Sequence, residues 1–205
     1  MIVYIDTECK QYFGEIYNPF EDLDIKQVKE LIDDISDSDK LWFYGYRKKT
    51  IIYVWNNTVY QTVVLIKRLV WVSPDNHRQY IYLYPSFAMK RCPFSLDTIE
   101  QLYIENVSNG ADALDGIEDP YNLLESSDRL MNWIIRLTKR TEDAELLENV
   151  CSSYLKILQV MPKIDKSLND YLHQLIDVFG QLMEYIKCPL LPYTTLAALN
   201  RNFGI

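Results

Sequence analysis

The sequence predicts an α+β fold, in which an acidic N-terminal helix and a small antiparallel sheet are followed by a helical bundle. Three observations predict it. Apolar residues recur at helical spacing near the start, β-branched and aromatic residues crowd the middle, and helical spacing returns beyond residue 95. Charge changes sign at the same places: residues 1–40 hold 11 acids and 4 bases, residues 41–95 hold 8 bases and one acid, Asp75, and residues 96–205 hold 17 acids and 9 bases.

The first helix is read from "DIKQVKELIDDI", which puts Ile25, Val28, Leu31, Ile32 and Ile35 on one face, with Asp24 placed to cap it. The sheet is read from "LWFYGY", "TIIYVWN", "TVYQTVVLIKRLVWV" and "QYIYLY", rich in residues that fit a pleated, half-buried surface. Asn56-Asn57 supplies a hairpin reversal, because Asn tolerates positive φ. Ser95 is positioned to cap the helix "SLDTIEQLYIEN", and Asp97 and Glu100 lie toward the positive end of its dipole. Gly110, Gly116 and Pro120 then interrupt the helical pattern. Helices are expected over 123–139, 142–160 and 167–187, with a short one near 195–200. In the third, Leu168, Tyr171, Leu172, Leu175, Ile176, Phe179, Leu182, Met183 and Ile186 form an apolar stripe suited to a bundle core. Two units are expected, residues 1–94 and residues 95–205, the second either separate or packed as one unit with the first.

Composition narrows the function. With 48% hydrophobic residues in 205, the chain can bury a substantial core. It has no apolar run of about 18 residues and its opening lacks a basic, then apolar leader pattern, so neither a membrane partner nor a signal peptide is expected, and the location read is cytoplasmic. Cys9, Cys92, Cys151 and Cys188 are far apart and read as reduced thiols.

No catalytic residue is assigned. The chain has no nucleophile elbow, phosphate loop or dinucleotide fingerprint. No second His or Cys lies at helical or knuckle spacing from His77 or His173, and Asp112, Asp115, Glu118 and Asp119 lack the spacing of a calcium loop. Asp6, Glu8 and Glu15 do not form a recognisable nuclease set. The expectation is a protein that is not an enzyme and has neither a metal site nor a cofactor.

Three segments follow one another in the basic middle: "YGYRKK", a strand pair ending "IKRLVWV", and "LYPSFAMKRCPFSLDTIE". Together they resemble the amino-terminal part of small proteins encoded by transposons and insertion sequences, which combine a zinc ribbon with a helix-turn-helix and are similar to transposase DNA-binding domains. The matching elements are Tyr44 to Arg47, Lys67 and Arg68, Pro85 to Phe87, Lys90 and Arg91, and Ser95 to Ile99. A fainter match is "SSDRLMNWIIRL", with Arg129, Trp133 and Arg136 placed as on that family's recognition helix. The zinc cysteines are lost: "SDSD" (36–39) and "WVSPDNHR" stand in their places, leaving His77 as the one ligand type. The resemblance therefore implies a degenerate ribbon held by its own core, for which Trp42, Phe43, Tyr53, Trp55 and Trp71 supply apolar area. Pro120 and Gly116 fall where the first helix of the DNA-reading pair would run, and a proline inside a helix costs about 3 kcal/mol.

The function implied is that of a non-enzymatic, mobile-element DNA-binding or regulatory protein. Arg47, Lys48, Lys49, Lys67, Arg68, Lys90 and Arg91 would contact phosphate, and Arg129 and Arg136 would reach base edges. The alternative is an acidic protein-interaction module, of the phage or mobile-element inhibitor or DNA-mimic type, acting on a protein partner with a basic surface. A homodimer is compatible with either. Cations clustered and free of carboxylates favour DNA. Cations neutralised by Asp33, Asp34, Asp37 and Asp39 favour the interaction module.

Overall fold

A long hairpin organises the chain. In the computed structural model, β3 (Lys40–Trp55) and β4 (Thr58–Val72) pair antiparallel from Lys40↔Val72 to Trp55↔Thr58. Asn56 and Asn57 close it with φ of 47° and 58°, the left-handed pair that matches the twist of the flanking strands. The structure describes residues 1–5, 16–32, 34–105, 114–124, 127–141, 144–159, 162–163, 171–185 and 195–203. Asp6, Glu8, Cys9, Glu15, Asp33, Gly110, Asp112, Leu168, Ile186 and Cys188 lie outside the described residues.

The chain is mixed α/β, with a five-stranded sheet and several helices. The sheet is not purely antiparallel, which corrects the expectation. β5 (Arg78–Pro85) runs antiparallel to the second half of β4, but β1 (Ile2–Ile5) lies parallel to β5 and β2 (Ile16–Tyr17) lies parallel to β4. Parallel neighbours are joined by crossovers and leave no local turn signature, so these two pairings are invisible to a reading of hairpins.

Asp24 caps α1 (Ile25–Glu30) as expected, in a reciprocal box: its carboxylate accepts from the Gln27 backbone N–H at 2.8 Å, and the Gln27 side chain accepts from the Asp24 N–H at 2.9 Å. The helix is shorter than its apolar pattern. It ends at Glu30, leaving Leu31 exposed, while Ile32 and Ile35 are buried from the turns that follow. Those turns are held by Lys29, whose Nζ donates to the carbonyls of Ser36, Asp37 and Asp39, and by the Asp39 carboxylate, which accepts from the Ser36 N–H.

Ser95 caps α2 (Leu96–Glu105) by accepting from the Thr98 N–H, and Thr98 Oγ1 accepts from the Val54 N–H at 2.8 Å, tying the helix start to the end of β3. Pro120 lies in the non-helical connection to α3 (Ser127–Thr141). There both Asp119 carboxylate oxygens are taken, by the N–H groups of Leu123 and Leu124 at 2.8 Å each. The remaining helices are α4 (Ala144–Leu158), α5 (Tyr171–Tyr185) and α6 (Thr195–Phe203).

Strand alternation divides the burial. On one face, Leu69, Ile81 and Leu83 pack with Phe20, Val28, Ile32 and Ile35, so α1 and its flanks cover that end. Further along the hairpin, Ile52, Val54 and Val59 join a cluster with Phe94, Leu96, Leu130, Leu172 and Leu196, so the helices share a core with the hairpin tip. On the other face, Val64, Ile66 and Tyr84 lie beneath Phe87, Ala88 and Ala197 of α6. The rest of that face, toward the start of β3, carries the exposed rings Trp42, Tyr44 and Tyr80, while Phe43 and Tyr46 are exposed on the opposite face.

One irregularity aims those rings. The register of β3 on β4 shifts between Phe43 and Gly45, leaving Tyr44 as the extra residue, and Gly45 adopts φ of +135°. A Cβ there would meet nothing within 4 Å, so the demand for glycine is conformational rather than steric. Gly45→Ala is expected to lower stability by about 1 to 3 kcal/mol through backbone strain alone. An unchanged urea midpoint would show that the bulge relaxes freely.

Candidate nucleic-acid interface

Consecutive strand residues point to opposite faces, so the adjacent cations Lys67 and Arg68 have different surroundings. Lys67 turns toward α1 and is 6% exposed. Its Nζ donates to the Phe20 carbonyl at 3.0 Å and to the Leu23 carbonyl, and it lies 5.7 Å from the Phe43 ring centroid. Burial holds its ammonium below the usual lysine range, with Asp24 opposing. Lys67 thus fastens the segment before α1 to the sheet and is withdrawn from a phosphate-contacting set. This corrects the sequence expectation, and the reason is that its ammonium is used up on carbonyls.

Arg68 turns to the open face. Its guanidinium carbon is 4.9 Å from the centroid of Tyr44 and 5.8 Å from that of Tyr82, and its Nε is buried without a hydrogen-bond partner. Tyr44 meets Tyr80 edge to face at 5.5 Å, and Arg78 lies 5.4 Å from the Tyr80 ring. Trp42 and Tyr80 flank Val70 in register, on the strands either side of β4. Trp42, Tyr44 and Tyr80 are 40%, 50% and 38% exposed, large values for rings beside a sheet core.

The other predicted residues divide as follows. Arg47 is exposed opposite Ile66, on the Arg68 face, close enough to Tyr84 for its charge to oppose the upward push of burial on that phenol. Lys48 is exposed on the opposite face of the same strand. Lys49 is half-buried and donates to the Cys92 carbonyl at 2.7 Å. Burial lowers its pKa, Cys92 opposes that, and Arg47 adds to it. Lys90 and Arg91 are exposed in the loop between β5 and α2, where Arg91 has φ of +71°. Arg129 and Arg136 are exposed on α3, which packs against α2, α4 and α5, and Arg136 stacks 5.1 Å from Trp133.

Among the described residues, Arg47, Lys48, Arg68, Arg78, Lys90 and Arg91 have no carboxylate within ion-pairing distance. The ion pair between Lys26 and Glu30, 3.9 Å, lies on α1. Asp39 serves the turn before β3, and Asp34 and Asp37 are exposed without pairing these cations. No three or more His, Cys, Asp or Glu side chains converge as a metal site among the described residues, and no helix among them is long and apolar enough to cross a membrane.

Reading the sequence by basic residues alone missed Trp42, Tyr44, Tyr80 and Arg78 as parts of one surface. The usable signal was the period-2 placement of rings and cations in "LWFYGY" and "RQYIYLY". Comparison with protein-family models, curated proteins and solved structures finds no match.

Lys67→Met is expected to cost about 1 to 3 kcal/mol, because the Leu23 carbonyl loses its side-chain donor, and to leave nucleic-acid affinity unchanged. Weakened binding at unchanged stability would return Lys67 to the binding surface.

Proposed function

We propose that the protein is a non-enzymatic DNA-binding or regulatory protein that contacts phosphate through the basic middle of the chain. The observation that carries this reading is the set of cations that, among the described residues, have no carboxylate within ion-pairing distance, in a chain of net charge -8. An acidic protein that used these residues only to balance its own charge would pair them. Arg47, Lys90 and Arg91 are the working phosphate contacts, with Arg68 and Arg78 contributing from between the rings, while Lys48 lies on the opposite face of β3 and stands apart from them. Lys49, whose ammonium is engaged by a carbonyl, is a lesser contributor.

The resemblance to transposon- and insertion-sequence-encoded proteins supports a role on mobile-element DNA in the cytoplasm. In that reading, the β3–β5 region is a degenerate zinc ribbon, stabilised by apolar packing in place of metal, the acidic N-terminal segment with its short helix α1 stands before it and a helical bundle follows. Arg129 and Arg136 belong to a second DNA-facing surface on α3. Phosphate contacts position a protein without reading bases, so the sheet surface alone confers modest sequence preference.

The test is fluorescence anisotropy of a labelled random duplex across a salt series. Five phosphate contacts predict a log-log slope of about -4.5. Lys90→Glu combined with Arg91→Glu is expected to abolish binding at moderate salt. Absence of binding by the unsubstituted protein at low salt would sink the reading and direct attention to a basic protein partner.

A further inference from the structure

The open half of the sheet face has a composition that phosphate contact does not explain. Duplex phosphate needs cations, and rings add nothing to that contact. Here three large rings, Trp42, Tyr44 and Tyr80, stand exposed on the face where Arg68 and Arg78 stack against tyrosines. α6 and the Phe87-Ala88 loop cover the adjoining half of this face and stop short of the rings.

We propose that this surface binds single-stranded nucleic acid, with unpaired bases stacking on Trp42, Tyr44 and Tyr80 and the backbone lying along Arg47, Arg68 and Arg78. The proposal rests on the nucleic-acid reading above and specifies the form of the ligand. Base faces are hidden inside a duplex and available in a single strand, so exposed rings discriminate for the latter. Charge complementarity selects the occupant. An apolar or acidic protein segment would satisfy either the rings or the cations, whereas a polyanion with aromatic bases satisfies both together.

The rings are also held for the task. Tyr44 sits at the bulge between Phe43 and Gly45, and its ring packs edge to face with Tyr80 and over the guanidinium of Arg68. Trp42 and Tyr80 sit one strand to either side of Val70, roughly 10 Å apart at ordinary strand spacing. Such a platform admits a flexible strand in an extended form. Because every base offers a π face, binding is tolerant of sequence.

The experiment compares labelled dT20, rU20 and a random duplex of equal length, with each binding measured by anisotropy at matched salt, for the full chain and its variants. Tighter binding of either single strand than of the duplex is expected, and the two strands together separate DNA from RNA as the source. Trp42→Ala with Tyr44→Ala is expected to weaken single-strand binding by about fivefold to more than a hundredfold and duplex binding by far less, while Trp42→Phe retains single-strand binding. Should the double variant fail to fold by circular dichroism, Tyr44→Ala alone, at a half-exposed ring, carries the same expectation at smaller size. Duplex and single-strand affinities that are equal and indifferent to ring removal would overturn this inference and leave the phosphate reading standing. Failure of the unsubstituted protein to bind any of the three would overturn both.

Discussion

The alternation of the β3–β4 hairpin is the constraint on which the rest depends. A strand gives successive residues to opposite faces, and β4 is covered on both over much of its length. A cation on such a strand must be either neutralised by local acceptors or delivered to an opening. Lys67 takes the first course at the carbonyls of Phe20 and Leu23, and Arg68 takes the second between Tyr44 and Tyr82. Two adjacent residues of one basic motif therefore serve stability and surface chemistry separately.

Coverage decides where the surface lies. α1 closes one face near the start of the hairpin, the helices close the same face near its tip, and α6 closes the middle of the other. On the Arg68 face, the part left open is bounded by Trp42, Tyr44, Tyr80 and their arginines. The bulge also fixes the patch's limit: beyond it the phase of β3 changes, so Tyr46 pairs Lys67 on the opposite face while Trp42 keeps its register with Val70.

Features governed by neighbours in sequence were legible: the Asn56-Asn57 reversal, the caps at Asp24 and Ser95, and the three strands in the aromatic middle. The parallel partners β1 and β2 were not, because nothing local distinguishes "IVYI" as a strand against β5 from any apolar tetrad. The end of α1 was misjudged because Ile32 and Ile35 continue the helical spacing while burying themselves from turns. Within the basic middle, the mixture of cations and rings was legible, but its phase was not. The run "VVLIKRLVWV" is apolar on both sides of Lys67 and Arg68, so alternation carried no label for inside and outside.

The central claim is that the Arg68 face is the working surface. Backbone amide NMR of the protein titrated with oligothymidine tests it most directly. The account predicts shift changes concentrated at residues 42–47, 68–70, 78–82 and 90–91, together with the Trp42 indole signal, and little change in α1. Perturbations centred on α3 or on the α1 face, with the Trp42 indole unmoved, would contradict it.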